Sequence, residues 1–121
     1  MKNILRSTRG IDYLTGNPCL TEEHHIFYNG RGQRKLSEKY GLKVYLSTYS
    51  HRSGPAAVHK SKEVRKRLER IAQLEFEHRF NIDESYRAKA QEDCFGQKYT
   101  ARESFMHIFG KNCIGDEENE T

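Results

Sequence analysis

Long apolar runs are missing from this 121-residue sequence, and so is any paired arrangement of cysteines. No stretch approaches the roughly 20 apolar residues of a membrane-spanning helix, and the N-terminal MKNILRSTRG lacks the apolar core of a signal peptide. We therefore expect a protein of the cytoplasm.

The three cysteines, Cys19, Cys94 and Cys113, are odd in number, far apart and never spaced C-x-x-C. This pattern argues against a disulfide framework and against a zinc site built from thiolates, so we expect free thiols. Only 35% of the residues are hydrophobic, which suits one domain with a modest core. We expect that domain at residues 1–113 and an acidic, disordered tail at 114–121.

Charge is spread unevenly along the chain. Residues 1–79 contain 16 basic and 8 acidic residues, a net charge of +8, whereas residues 80–121 contain 5 and 9, a net charge of −4. Clustered lysine and arginine attract polyanions such as nucleic acid, because neutralised phosphates release their counterions. An ordinary solvated surface explains this charge equally well.

The hydrophobic pattern of the first half predicts a strand. In LKVYLS, residues 42–47, the apolar Leu42, Val44 and Leu46 alternate with other positions, as in a strand with one buried face. The strand follows a flexible loop at residues 29–33 and a helical turn predicted at 36–40.

The second half predicts helices. From about Ser61 to Phe80 an apolar stripe recurs every four residues, and basic residues occupy the other faces. Residues 81–99 show little periodicity, which predicts a loop or an irregular helical insertion. The segment TARE, residues 100–103, has the spacing of a capping box. We expect the helix after TARE to pack on the long helix through Phe105, Met106 and Phe109.

Four of the six histidines, at positions 24, 25, 51 and 59, lie within 36 residues. Neutral imidazole is the commonest metal ligand, and three such ligands leave a coordination position for water or phosphate. His24 and His25 are neighbours on an extended segment, so their side chains should point to opposite sides. The pattern predicts a metal site, with one histidine of the adjacent pair beside the ion and the other not bound to it. His78 and His107, on predicted helices, fit solvated or core-edge roles.

Several segments resemble small HNH-like proteins of phages and prophages: HHIF at 24–27, RKLSEKYGLKVYL at 34–46, VH at 58–59 and FMHIFGKN at 105–112. The chain thereby resembles the HNH endonuclease superfamily, whose core is a ββα unit that binds one divalent ion. The resemblance covers about residues 12–80 and 102–112. It implies a ββα-metal core at about 20–79, an insertion at about 81–100 and a helix at about 101–109 packed on the main helix.

The resemblance also implies roles for single residues. His24, His51 and His59 would bind one divalent ion (Mg²⁺, Mn²⁺, Zn²⁺ or Ni²⁺), and His25 would be the general base of phosphodiester hydrolysis, with DNA as the expected substrate. Gly54 and Pro55 rule out one continuous helix between His51 and His59. The basic residues that could hold the nucleic-acid backbone are Arg34, Lys35, Lys39, Lys62, Arg65 and Lys66.

Many HNH proteins hold a structural zinc ion between two C-x-x-C-like half-sites, and this chain departs from that pattern. The aligned positions are Asp12 and Thr15, then Ser47 and Ser50. Loss of all four ligands is coherent with replacement of the zinc by hydrogen bonds, so we expect these side chains to lie close together. The nuclease colicins resemble this chain in having a ββα-metal site without such a zinc. For the middle Asn of the motif, the candidate positions are Asn29, Gln33 and Leu42.

Two other function classes stay open. The same fold without competent metal ligation would be a binding module, either a DNA-binding protein or a phage-encoded inhibitor that docks on a host nuclease. The lost zinc half-sites and the unclear middle Asn favour that class, whereas four well-placed histidines favour the enzyme. A purely structural zinc site at His24, His51 and His59 fits least, because such sites normally have four protein ligands.

Overall fold

The structure is a computed structural model and describes residues 1–115. Within these residues the chain forms two short antiparallel strands and four α-helices. The strands are β1 (Glu22–His25) and β2 (Lys43–Leu46), and a π-helical turn, Tyr49–Ser53, follows β2. The helices are α1 (Gln33–Tyr40), α2 (Lys62–Ile82), α3 (Glu84–Asp93) and α4 (Ala101–Phe109). The predicted α+β class is confirmed.

The chain divides into two compact units, residues 1–69 and residues 70–121, and α2 begins in the first and ends in the second. Of the predicted acidic tail, residues 116–121 lie outside the described residues. Ile114, which was placed in that tail, is fully buried, and its carbonyl accepts a hydrogen bond from Arg70 (2.9 Å). No helix within residues 1–115 combines the length and the apolar character needed to cross a membrane.

In the first unit, β1 and β2 pair with His24 opposite Val44 and His25 opposite Lys43. The predicted strand is confirmed at β2, where Leu42, Val44 and Leu46 are almost fully buried. Lys43 departs from the predicted polar face, because it is also buried and its ammonium group pairs with two carboxylates. Helix α1 is longer than the turn predicted at 36–40, and Gly41 ends it in the left-handed region (φ 72°).

Asp12 is buried and joins the segment before β1 to the turn after β2. Its Oδ2 accepts hydrogen bonds from Thr15 Oγ1 (2.7 Å) and Ser50 Oγ (2.6 Å), and its Oδ1 accepts one from the Ser47 amide (3.1 Å). The Ser50 amide in turn donates to Ser47 Oγ (3.0 Å). The predicted proximity of these four residues is confirmed. Burial raises the pKa of Asp12, but the hydrogen bonds outweigh that effect and hold it below the usual value.

In the second unit, the Phe76 ring of α2 lies at the centre of an aromatic cluster. Its centroid is 5.3 Å from that of Phe105 and 6.3 Å from that of Phe109, so α4 contacts this part of α2 as predicted. Met106 departs from the prediction, because it is 43% exposed whereas Phe105 and Phe109 are buried. The capping box of Thr100 and Glu103 is confirmed, and Gly110 ends α4 in the left-handed region (φ 74°).

Residues 81–99 are more regular than expected, since α3 occupies half of them. Asp83 caps α3 by accepting a hydrogen bond from the Tyr86 amide (3.1 Å), and Tyr86 and Ala90 bury their side chains. All three cysteines are free, as predicted, and Cys94 is buried.

We predict that Asp12→Asn lowers the free energy of unfolding at neutral pH by about 1–3 kcal/mol, because a buried acceptor loses its charge while its donors remain. In the wild type, the contribution of this charge is fully present above the pKa of an unfolded aspartate, about 3.9. It is lost as the pH falls through the lower pKa of the folded state. Urea unfolding between neutral and acid pH should therefore show a smaller acid-induced loss in Asp12→Asn than in the wild type. Glu63→Gln, at an exposed carboxylate of α2, is the control; parallel curves for Asp12→Asn and wild type would contradict the prediction.

Candidate metal centre and its surroundings

The alternation of β1 separates the two neighbouring histidines. Side chains two residues apart on a strand share a face, so Glu22 and His24 lie on one face and Glu23 and His25 on the other. Both imidazoles are buried, at 3% exposure for His24 and 7% for His25. They therefore enter two different clusters, as the sequence predicted.

The other two histidines of the first cluster come from the segment between β2 and α2. His51 lies on the π-helical turn, and its amide donates to the Ser47 carbonyl (2.8 Å). The chain then folds back, because the Val58 amide donates to the Ser50 carbonyl (2.8 Å) and the His59 amide to the His51 carbonyl (3.2 Å). This return brings His59 beside His51 without the continuous helix that Gly54 and Pro55 exclude.

His24, His51 and His59 converge, and their ligand atoms all lie within 4.8 Å of one another. The Nε2 atoms of His51 and His59 are 3.0 Å apart, and the His24 ring centroid lies 5.0 Å from that of His51 and 5.3 Å from that of His59. The Tyr28 ring covers the group, with its centroid 5.4 Å from that of His24 and 5.1 Å from that of His59. These three histidines form what we call the histidine cluster.

The surroundings favour the neutral form of His24 and His59. Burial, together with the neighbouring histidines, lowers the pKa of His24 to about 3. Burial and the nearby His51 and Arg52 also lower the pKa of His59. Neutral imidazoles keep the lone pairs that a cation needs.

Glu22 contacts His51 of the histidine cluster, at the ring nitrogen that does not face His59. Its Oε1 lies 2.7 Å from Nδ1 of His51, and its Oε2 accepts a hydrogen bond from Thr48 (3.0 Å). The hydrogen bond to His51 is the main cause that lowers the pKa of Glu22. A carboxylate on Nδ1–H leaves the lone pair of His51 on Nε2, the atom that faces His59.

These residues fit a divalent ion. Two imidazole nitrogens that are each about 2.0–2.1 Å from one zinc ion lie about 2.8–3.4 Å apart at bond angles of about 90–109°. The separation observed for His51 and His59 is 3.0 Å. With three imidazole nitrogens and a carboxylate bonded to one of the rings, the cluster has the donor set and the outer support that a metal site needs.

His25 belongs to the second cluster. Its Nε2 lies 2.9 Å from Oε1 of Glu38 and 3.9 Å from Glu23. Lys43 completes this cluster, with its Nζ 2.9 Å from Oε2 of Glu38 and 3.3 Å from Glu23. Ser37, one residue before Glu38, fixes α1 to the strand segment, because its hydroxyl bonds both the amide and the carbonyl of Phe27.

Two cavities open beside the clusters. A cavity of about 310 Å³ is lined by the histidine cluster and also by His25, Arg34 and Arg52. A larger one of about 630 Å³ lies over α1, where His25, Arg31, Arg34 and Lys35 line it. Glu23, His25 and Arg34 belong to both linings, so the two spaces adjoin at these residues.

The six predicted backbone-binding residues separate in the structure. Arg34 and Lys35 are exposed at the cavities. Lys39 points along α1, with its Nζ 5.9 Å from the Tyr40 ring centroid, and Lys62 and Lys66 are exposed on α2. Arg65 is half-buried and donates to the Val58 carbonyl (3.1 Å), the residue before His59. Within residues 1–115, none of these last four lines either cavity.

The candidates for the middle Asn also lie apart from the clusters. Asn29 is exposed, Gln33 is the first residue of α1, and Leu42 is fully buried. None of them lines the cavities in the described part of the chain.

Sequence reasoning missed five residues: Glu22, Tyr28, Glu38, Lys43 and Arg52. The period of two along β1 was a usable signal for Glu22, since it shares a face with His24. For Glu38 and Lys43 the sequence held no comparable signal, because their meeting depends on how α1 folds over the two strands.

No protein-family model matches the chain, and neither curated proteins nor solved structures include a match. The likeness to HNH proteins therefore depends on the sequence segments quoted above.

We predict that Glu22→Gln weakens divalent-metal binding by about 10- to 100-fold, because Nδ1 of His51 loses the carboxylate that orients it. Isothermal titration with Zn²⁺ would measure the affinity. Glu23→Gln is the matched control, since Glu23 is adjacent in β1 but faces Lys43. Equal losses in the two variants would show that general surface charge, and not the contact with His51, sets the affinity.

Proposed function

We propose that this chain is a metal-dependent endonuclease of the ββα-metal type that hydrolyses phosphodiester bonds of nucleic acid, with DNA as the substrate. The observation that carries the proposal is the meeting of three histidines in one cavity whose wall contains a fourth, separately held histidine. A purely structural metal site would not need this fourth histidine. Hydrolysis needs both a cation and a base.

In this proposal His24, His51 and His59 hold one divalent ion, and Glu22 orients His51 from behind. When bound, the ion supplies a Lewis acid that polarises the scissile phosphate and stabilises the leaving oxygen. His25 takes a proton from the attacking water, because imidazole is the side chain that most often serves as a general base. Arg34 and Lys35 hold the phosphate backbone over α1.

The adjoining cavities support this assignment of roles. The acceptor His25, the cation site and Arg34, which would hold a phosphate, all border the cavity of about 310 Å³. Contacts to phosphates position a substrate but carry little sequence information, so we infer a nuclease with weak sequence preference. We further propose a phage or prophage origin and action in the host cytoplasm, on the basis of the quoted segments.

Two substitutions separate the proposed roles. We predict that His24→Ala loses metal binding and cleavage together, whereas His25→Ala keeps the metal and loses about 10²- to 10⁴-fold in cleavage rate, the usual contribution of a general base. Zinc titration and cleavage of a labelled DNA duplex would measure both. His78→Ala, on α2 and outside both clusters, is the control.

Normal cleavage by His25→Ala would remove the general-base role. If the wild type binds DNA or a host nuclease but never cleaves with Mg²⁺, Mn²⁺, Zn²⁺ or Ni²⁺, the chain is a binding module and the enzymatic proposal is wrong.

A further inference from the structure

Glu38 is the nearest acidic group to His25. The groups around Glu38 determine whether its carboxylate or the His25 ring carries the proton of the hydrogen bond between them. Oε1 of Glu38 is 2.9 Å from Nε2 of His25 and 3.0 Å from Nζ of Lys43. Oε2 is 2.9 Å from the same Nζ and accepts a second hydrogen bond from the amino group of Met1 (2.9 Å). The carboxylate is thus surrounded by donors.

Such a carboxylate stays ionised. The contacts with His25 and Lys43 hold the pKa of Glu38 far below its ordinary value. The two carboxylates beside Lys43 likewise outweigh its burial and raise the pKa of the ammonium group. An ionised carboxylate can only accept hydrogen bonds, so the proton between Glu38 and His25 must belong to Nε2.

The other ring nitrogen of His25 is left without a partner in the described residues. The contacts of this imidazole with acidic groups all involve Nε2. Across residues 1–115 the only fully buried side-chain nitrogen or oxygen that lacks a hydrogen bond is Ser104 Oγ. Nδ1 of His25 is therefore not fully buried, and His25 lines both cavities.

We propose that Glu38, itself held by Lys43, is the positioning residue of His25: it accepts the Nε2 proton and makes Nδ1 the nitrogen that takes the proton from water. The tautomer follows from the contacts alone. Only its use in proton transfer rests on the proposed function.

A second metal site is the competing interpretation of the same residues. The ligand atoms of Glu23, His25 and Glu38 lie within 4.8 Å of one another, a spacing that also suits an ion. However, the buried ammonium group of Lys43 is already 2.9 Å from Glu38 and 3.3 Å from Glu23. Lys43 therefore supplies the positive charge between these carboxylates, and the structure favours a single ion at the histidine cluster.

The direct test is the tautomer of His25 in the metal-free protein, read from long-range ¹H–¹⁵N spectra of the imidazoles. The wild type should show the Nε2–H form. Because Lys43 contacts both carboxylate oxygens, the amino group of Met1 decides the orientation of the amide in Glu38→Gln. The amide oxygen should face Met1, which leaves the NH₂ group toward His25 and reverses the tautomer to Nδ1–H. Glu23→Gln is the matched control and should keep the wild-type form, because Glu23 is 3.9 Å from Nε2, beyond hydrogen-bond distance.

Cleavage and metal titration complete the test. Glu38→Gln should lose about 10²-fold or more in cleavage rate while its affinity for Zn²⁺ stays within about twofold of the wild type, since a mispositioned base does not alter the ligands. A wild-type His25 in the Nδ1–H form would overturn the proposal, and so would an unchanged tautomer in Glu38→Gln. Binding of a second ion that shifts the His25 signals would also overturn it. The wild-type spectrum decides the tautomer even if the variant fails to fold or the chain proves not to be a nuclease.

Discussion

The pairing of β1 with β2 is the constraint on which the candidate site depends. Its register fixes which side chains share a face, and a shift by one residue would exchange the two histidines between their clusters. With His24 opposite Val44, the imidazole points to the face where His51 and His59 arrive. With His25 opposite Lys43, the other imidazole meets the ammonium group and the carboxylate that hold it.

The hydrogen bonds of Asp12 extend this constraint to the rest of the cluster. They fix Ser47 and Ser50, and the intervening turn carries the chain directly into His51. The backbone hydrogen bond from His59 to His51 then places His59, the third proposed ligand, beside His51. The buried Asp12 carboxylate, with its three donors, thus links the segment before β1 to the turn after β2.

Much of the fold was readable in the sequence, because strongly periodic segments bury one face whatever their surroundings. The alternation around Val44, the stripe through Phe76 and the capping box at Thr100 each predicted an observed element. Met106 was misplaced since the few residues of a short helix do not define its buried face. The resemblance to HNH proteins predicted that His24, His51 and His59 bind one ion, but it did not indicate the residues that orient them. Glu38 reaches His25 only through tertiary folding, and no local pattern encodes that contact.

The central claim is that three histidines bind one divalent ion while the fourth stays free of it. Anomalous scattering from a crystal grown with Zn²⁺ tests this most directly. The account predicts one peak per chain, about 2.0–2.1 Å from one nitrogen each of His24, His51 and His59, with His25 still bonded to Glu38. A peak at Glu23, His25 and Glu38, or the absence of bound zinc from a well-ordered histidine cluster, would contradict it.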